Sequence, residues 1–273
     1  MKKLLMLLVG FPWAVGATTA SDNYIFNASQ PLVIVTQKGE FAPFGGSELG
    51  NVGDQTGREI IDKRMAKRVR QLWRYSESGS PERVSAIIKA DYVGCDRSLV
   101  VQTEGGDSGV LYSTRPIRSI PFSLADADLK RARDEGRRLL SDALRHRKVT
   151  SDWIAELLEG ATVTPVRVRA WRSPMLVVTT NGERKERTLS AFLIASLAKN
   201  GRYALLEKTV EIGSASDSEG YAGTWDLGLH VDLNGDGDEE LLMFHGAYES
   251  FSAVLMQWDG KKWREVASNG GGC

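Results

Sequence analysis

Several things are missing from this chain, and each absence removes a class of protein. There is no excess of charge: 35 lysines and arginines face 35 aspartates and glutamates, for a formal net charge of zero. The whole-chain cationic balance expected of a nucleic-acid binder is therefore absent. Beyond the N-terminus no apolar run approaches the roughly 20 residues needed to cross a bilayer. Cysteine occurs twice, at Cys95 and Cys273, and histidine three times, at His146, His230 and His245. No cysteine directly follows the N-terminal apolar run, so lipid attachment at a mature N-terminal cysteine is not available.

That N-terminal run is informative. Lys2 and Lys3 precede Leu4-Leu5-Met6-Leu7-Leu8-Val9, and small residues follow at Val15-Gly16-Ala17 and Thr18-Thr19-Ala20. This is the order of a bacterial-type secretory signal peptide, expected over 1–20, and it implies a periplasmic or secreted protein. An oxidising compartment and an even cysteine count make a Cys95–Cys273 disulfide the expectation. Closing so long a loop is worth about 4–5 kcal/mol in the chain-entropy model.

The remaining roughly 250 residues suffice for one sizeable core or two small ones. Hydrophobic residues at 42 % and charged ones at 26 % are ordinary for a globular chain. Cations crowd 58–74 and 115–148 and carboxylates crowd 216–240. The basic stretches read as solvated helix faces, and a basic face on an exported protein also suits envelope polyanions.

The expected fold is mainly β with inserted helices. An N-terminal α+β region over 21–160 precedes a C-terminal β-repeat region over 161–273. In the first region strands are expected at Pro31–Val35, Val84–Ala90, Leu99–Thr103 and Val110–Thr114, and a loop over 45–57. A helix from Thr56 places Ile60, Ile61, Met65, Val69, Leu72 and Trp73 on one stripe. Further helices are expected over 123–148, capped by Ser123, and over 152–159, between Ser151 and Gly160.

From Thr162 the pattern is β, with a repeat of about 60 residues. Met175–Val178, Ser190–Ile194, the turn Asn200-Gly201 and a strand at Tyr203 form the first copy. Leu241–Phe244, Ser252–Met256, the turn Asp259-Gly260 and a strand at Trp263 form the second. Asn-Gly and Asp-Gly between β-runs suggest type I′ hairpins. The repeat implies antiparallel meanders, arranged as propeller blades or as a sandwich.

Between His230-Val231 and Leu241-Leu242 runs Asp232-Leu233-Asn234-Gly235-Asp236-Gly237-Asp238-Glu239-Glu240. Oxygen side chains at the first, third, fifth and ninth positions, with glycine at the sixth, are what a hard cation needs. Calcium accepts six to eight oxygens in an irregular cage, whereas magnesium demands a stricter octahedron. The expected ligands of a structural Ca2+ are the side chains of Asp232, Asn234, Asp236 and Glu240, with Asp238 through its carbonyl. Met243 stands where an EF-hand needs a bidentate glutamate, and strands rather than helices flank the loop.

Over about 230–266 the chain resembles the FG-GAP/VCBS type of calcium loop, D-x-[DN]-x-D-G-x-x-[DE], whose family builds β-propeller blades. Two departures stand out. The loop occurs once, its counterpart in the first repeat (Arg167–Pro174) having no carboxylate, and the family's phenylalanine-glycine and glycine-alanine-proline signatures are absent. A full propeller is therefore not implied. The functional expectation is a non-enzymatic calcium-binding module with a structural or interaction role and an unknown partner.

Two alternatives rest on other residues. Gly106-Asp107-Ser108-Gly109 matches the nucleophile segment of trypsin-like proteases, but every histidine follows Ser108 and too little chain precedes it for two barrels. An α/β-hydrolase elbow would need glycine where Val110 stands. An envelope hydrolase would have to use Ser108 or the His230/His245 region. A carbohydrate-binding accessory protein would use Trp258 and Trp263 as an exposed platform, against the reading of a cross-strand packing pair.

Overall fold

The structure is a computed structural model that describes residues 23–27, 30–43, 71–75, 81–93, 96–103, 111–117, 124–169, 171, 173–216 and 221–272. The expected signal peptide, Cys95, Cys273, Ser108 and its neighbouring glycines, the loop expected over 45–57, Ser123 and most of the helix expected from Thr56 lie outside the described residues.

The fold is mainly β with few helices, as expected. A seven-stranded sheet contains β1 (Asn23–Asn27), β2 (Gln30–Val35), β3 (Phe41–Pro43), β4 (Gln71–Tyr75), β5 (Glu82–Val93), β6 (Asp96–Thr103) and β7 (Leu111–Ser113), in the order β3-β2-β1-β7-β4-β5-β6. Helices α1 (Asp126–His146) and α2 (Ser151–Glu159) follow. Then come two four-stranded meanders. The first is β8 (Thr162–Val166), β9 (Met175–Arg184), β10 (Arg187–Leu197) and β11 (Tyr203–Ser214). The second is β12 (Thr224–Val231), β13 (Glu240–Gly246), β14 (Ser250–Trp258) and β15 (Trp263–Gly272).

One helix expectation fails at its end. Leu72 and Trp73 belong to β4, which pairs with β5 and β7. Leu72 and Tyr75 are buried there and Gln71 is exposed, so cross-strand pairing overrides the helical spacing read from the sequence. Helix α1 starts at Asp126, later than expected, with Ala125 at its N-cap. Asp126 and Asp128 in its first turn and Arg145 and His146 in its last complement the helix dipole. In α2, Thr150 rather than Ser151 holds the N-cap position, and Gly160 is the C-cap.

Strand alternation builds the layers, because successive side chains face opposite sides of a sheet. In β9 and β10, Leu176, Val178, Leu189, Ala191, Leu193 and Ala195 share a core with α1 and α2. Their neighbours Met175, Val177, Phe192 and Ile194 point the other way, onto Leu241, Met243, Trp258 and Trp263 of the second meander. The second meander turns Val231, Leu242, Ala253 and Leu255 onto Ile25, Leu32, Val35 and Leu111 of the seven-stranded sheet. The order is thus helices, first meander, second meander, N-terminal sheet, with a core between each pair of neighbouring layers among the described residues.

The turns correct one expectation. At Asn200-Gly201 and Asp259-Gly260 only the glycines have positive φ, +76° and +92°, so neither is a type I′ turn. Asp259 instead accepts the amides of Lys261 and Lys262, both at 2.8 Å. The turn with two positive φ values, as type I′ requires, is Lys185-Glu186 (48° and 60°), between β9 and β10.

Candidate metal site between β12 and β13

The acidic loop joins two paired strands, and Val231 faces Glu240 across its base. The loop folds around its own carboxylates. Asp232 accepts the amides of Gly235 (2.7 Å) and Gly237 (2.9 Å), and Asn234 accepts the amide of Asp236 at 3.0 Å. Asp236 accepts the amide of Asp238 at 2.8 Å and the side-chain amide of Asn234 at 3.0 Å. Gly235 and Gly237 make the tight bend possible with φ of +82° and +90°.

Glu240 is the unusual member. It is fully buried, and its Oε2 accepts the Leu233 amide at 2.8 Å. Its Oε1 is buried with no hydrogen-bond partner. Burial pushes the Glu240 carboxyl up to about 9, and the neighbouring charges of Asp236 and Asp232 add to the shift. Burial also raises Asp232, with Asp236 pushing the same way against the Gly235 and Gly237 amides. A buried carboxylate oxygen without a donor, beside two more carboxylates, is costly unless a proton or a cation neutralises it.

The donor set suits a hard, oxygen-loving ion. The structure brings Asp232, Asp236 and Glu240 into electrostatic contact and places Asn234 beside Asp236. The Asp238 carboxylate is turned outward to the Arg169 amide, which leaves its carbonyl as the group it can offer a cation. Among the described residues no three His, Cys, Asp or Glu side chains come together as a group that could hold a metal ion. The loop carboxylates are directed at amides, but an ionised carboxylate has about four acceptor positions, and the amides use only some of them.

Two arginines, which no motif in the sequence marks, brace this loop. Arg167 and Arg169 lie between β8 and β9, in the segment that corresponds to the acidic loop within the first repeat. The Arg167 amide donates to Glu239 Oε2 at 2.8 Å, and the Glu239 amide returns a bond to the Arg167 carbonyl at 3.0 Å. The Arg169 guanidinium lies over Gly237 and donates to the Asp236 carbonyl. Equivalent loops of the two meanders therefore dock on each other, which the repeat itself signals, since stacked meanders bring equivalent loops to one end. Arg169→Ala is expected to cost about 1 kcal/mol of stability in urea unfolding, the net worth of one such hydrogen bond.

The other candidates fall apart spatially. His230 Nδ1 is 2.9 Å from Glu239 Oε2, in a pairing that fixes the ring and leaves it touching no hydroxyl or thiol among the described contacts. The His245 ring lies tilted against Trp225, centroids 4.4 Å apart, and pairs with it across β12 and β13, away from His230, which pairs with Leu241. Trp258 and Trp263 are 7 % and 4 % exposed and meet edge to face at 5.9 Å. They are core residues and offer no coplanar sugar platform.

No family model, curated protein or solved structure matches the chain. Among the described residues no helix is long and apolar enough to cross a membrane.

Proposed function

We propose that the protein is an exported, non-enzymatic calcium-binding β module in which one ion sits in the 232–240 loop. The observation that carries this reading is the fully buried Glu240, whose Oε1 has no partner, at the ninth position of an oxygen-rich loop. Asp232, Asn234, Asp236 and Glu240 would hold the ion by their side chains and Asp238 by its carbonyl. The ion would offset the burial and the neighbouring Asp236 charge that hold the Glu240 and Asp232 carboxyls above their usual range. Its role is structural. It would tie the β12–β13 connection to the Arg167–Arg169 segment and so lock two stacked meanders for interaction with a partner.

The test is thermal unfolding of the mature protein in calcium, in chelator, and for Asp236→Ala. A ligand held only by the folded state adds about 2.7 kcal/mol at a hundredfold excess over its dissociation constant. The midpoint is expected to rise with calcium in the wild type and to stay put in Asp236→Ala. Coincident curves in all conditions would remove the calcium reading.

A further inference from the structure

An open groove of about 650 Å3 runs beside the acidic loop. One wall is the β2–β3 turn, with Lys38 and Glu40, and the other is the rim of the loop, with Asn234 and Asp236. Gln257 and the half-buried Phe41 and Val266 complete it. The volume lies within the range of small-molecule sites, about 300–1,000 Å3.

The two walls are mechanically joined. Gly39, with φ of +80°, sits so close to the loop that a Cβ there would lie 3.3 Å from the Asn234 carbonyl oxygen. The β2–β3 turn is itself tight: the Thr36 amide donates to the Glu40 carbonyl at 2.9 Å, and the Gly39 amide donates to the Thr36 carbonyl at 3.0 Å. Ordering of the loop by an ion therefore fixes one wall and presses on the other.

We infer that this groove is a calcium-dependent binding site for uncharged saccharides. The inference rests on the calcium reading of the same loop. The lining charges nearly balance, with Lys38 against Glu40 and Asp236 committed to the ion, so neither a polyanion nor a polycation is favoured. The remaining polar side chains are one planar amide and one carboxylate, Gln257 and Glu40. Each presents two adjacent hydrogen-bonding atoms, which suits pairs of neighbouring hydroxyls that both donate and accept. The apolar floor is one phenyl ring and one valine, enough for the C–H face of a sugar and too small for a lipid chain or an amphipathic helix.

The experiment is calorimetric titration of the full mature protein with cellobiose, maltose and N,N′-diacetylchitobiose, together with an array of neutral glycans, in calcium and in chelator. Glu40→Ala/Gln257→Ala alters two groove side chains outside the ion's ligand set, and Tyr248→Ala alters an exposed aromatic elsewhere. The expected result is saccharide binding in calcium that is lost in chelator. It should weaken at least tenfold in Glu40→Ala/Gln257→Ala, with that variant's calcium-induced midpoint shift intact, and be unchanged in Tyr248→Ala. A retained calcium shift with no glycan bound would overturn the groove assignment and leave the calcium reading standing. Binding that ignores the chelator, or that is lost in Tyr248→Ala instead, would also overturn it. Loss of the calcium shift itself in the wild type would sink both.

Discussion

Glu240→Gln is expected to shift stability in opposite directions with and without calcium. In chelator the wild type buries a carboxyl whose proton affinity has been raised from 4.5 to about 9. A carboxyl raised on folding binds more protons in the native state, so stability falls as pH climbs from about 4.5 towards 9. At pH 7 that penalty is about 3 kcal/mol. Glutamine carries no charge, and its carbonyl still accepts the Leu233 amide. Its amide nitrogen then takes the position of Oε1 without a partner, which returns about 1–3 kcal/mol of the gain. The variant should therefore unfold about 1 kcal/mol later than wild type in chelator at pH 7, and the difference should widen between pH 5 and pH 8. In saturating calcium the wild type gains the ion and the variant, short of a charged ligand, does not, so the order reverses. A variant that is weaker than wild type by the same amount in both buffers would contradict the assigned role of Glu240.

The second large effect is predicted at the helix–sheet contact. Gly136 is buried in the middle of α1, where a Cβ would lie 2.8 and 2.9 Å from the two methyls of Val163 and 3.2 Å from a methyl of Val178. Alanine in a helix interior gains about 1 kcal/mol over glycine. Here that gain meets an overpacking cost of about 1–3 kcal/mol, and valine methyls on paired strands have little freedom to turn away. Gly136→Ala is expected to lose about 1 kcal/mol net in urea unfolding. Gly136→Leu, which must lift α1 from β8 and β9, should lose well over 3 kcal/mol. A Gly136→Ala protein more stable than wild type would mean that α1 does not sit so close to the sheet.

How far the sequence foretold this molecule depends on what each signal measures. The C-terminal meanders were legible because Met175–Val178 and Leu241–Phe244 are continuous apolar runs, and the structure buries both faces of each between layers. Both runs fall within four-stranded meanders, and the loops at corresponding places in the two are partners rather than copies. Strand β1 and most of β12 were not read, since a register shift in each, between Ile25 and Phe26 and between Leu227 and Leu229, breaks the alternation. Leu72 and Trp73 mislead for a different reason: local helical spacing carries no information about β5 and β7. The turns at Asn200-Gly201 and Asp259-Gly260 fall where composition puts them, yet their geometry differs, because a single glycine at positive φ is enough for the longer hairpin connection. The acidic loop was plain as an oxygen pattern. That Glu240 is buried with an unpartnered oxygen is a property of packing, and no spacing rule contains it.

The most direct test of the central claim is a calcium titration of the metal-free mature protein by isothermal calorimetry, paired with Asp236→Ala. The account predicts one ion per chain for the wild type, magnesium binding far more weakly, and no saturable binding in the variant. Absence of calcium binding to the folded wild type, or binding of equal stoichiometry and affinity in Asp236→Ala, would contradict it.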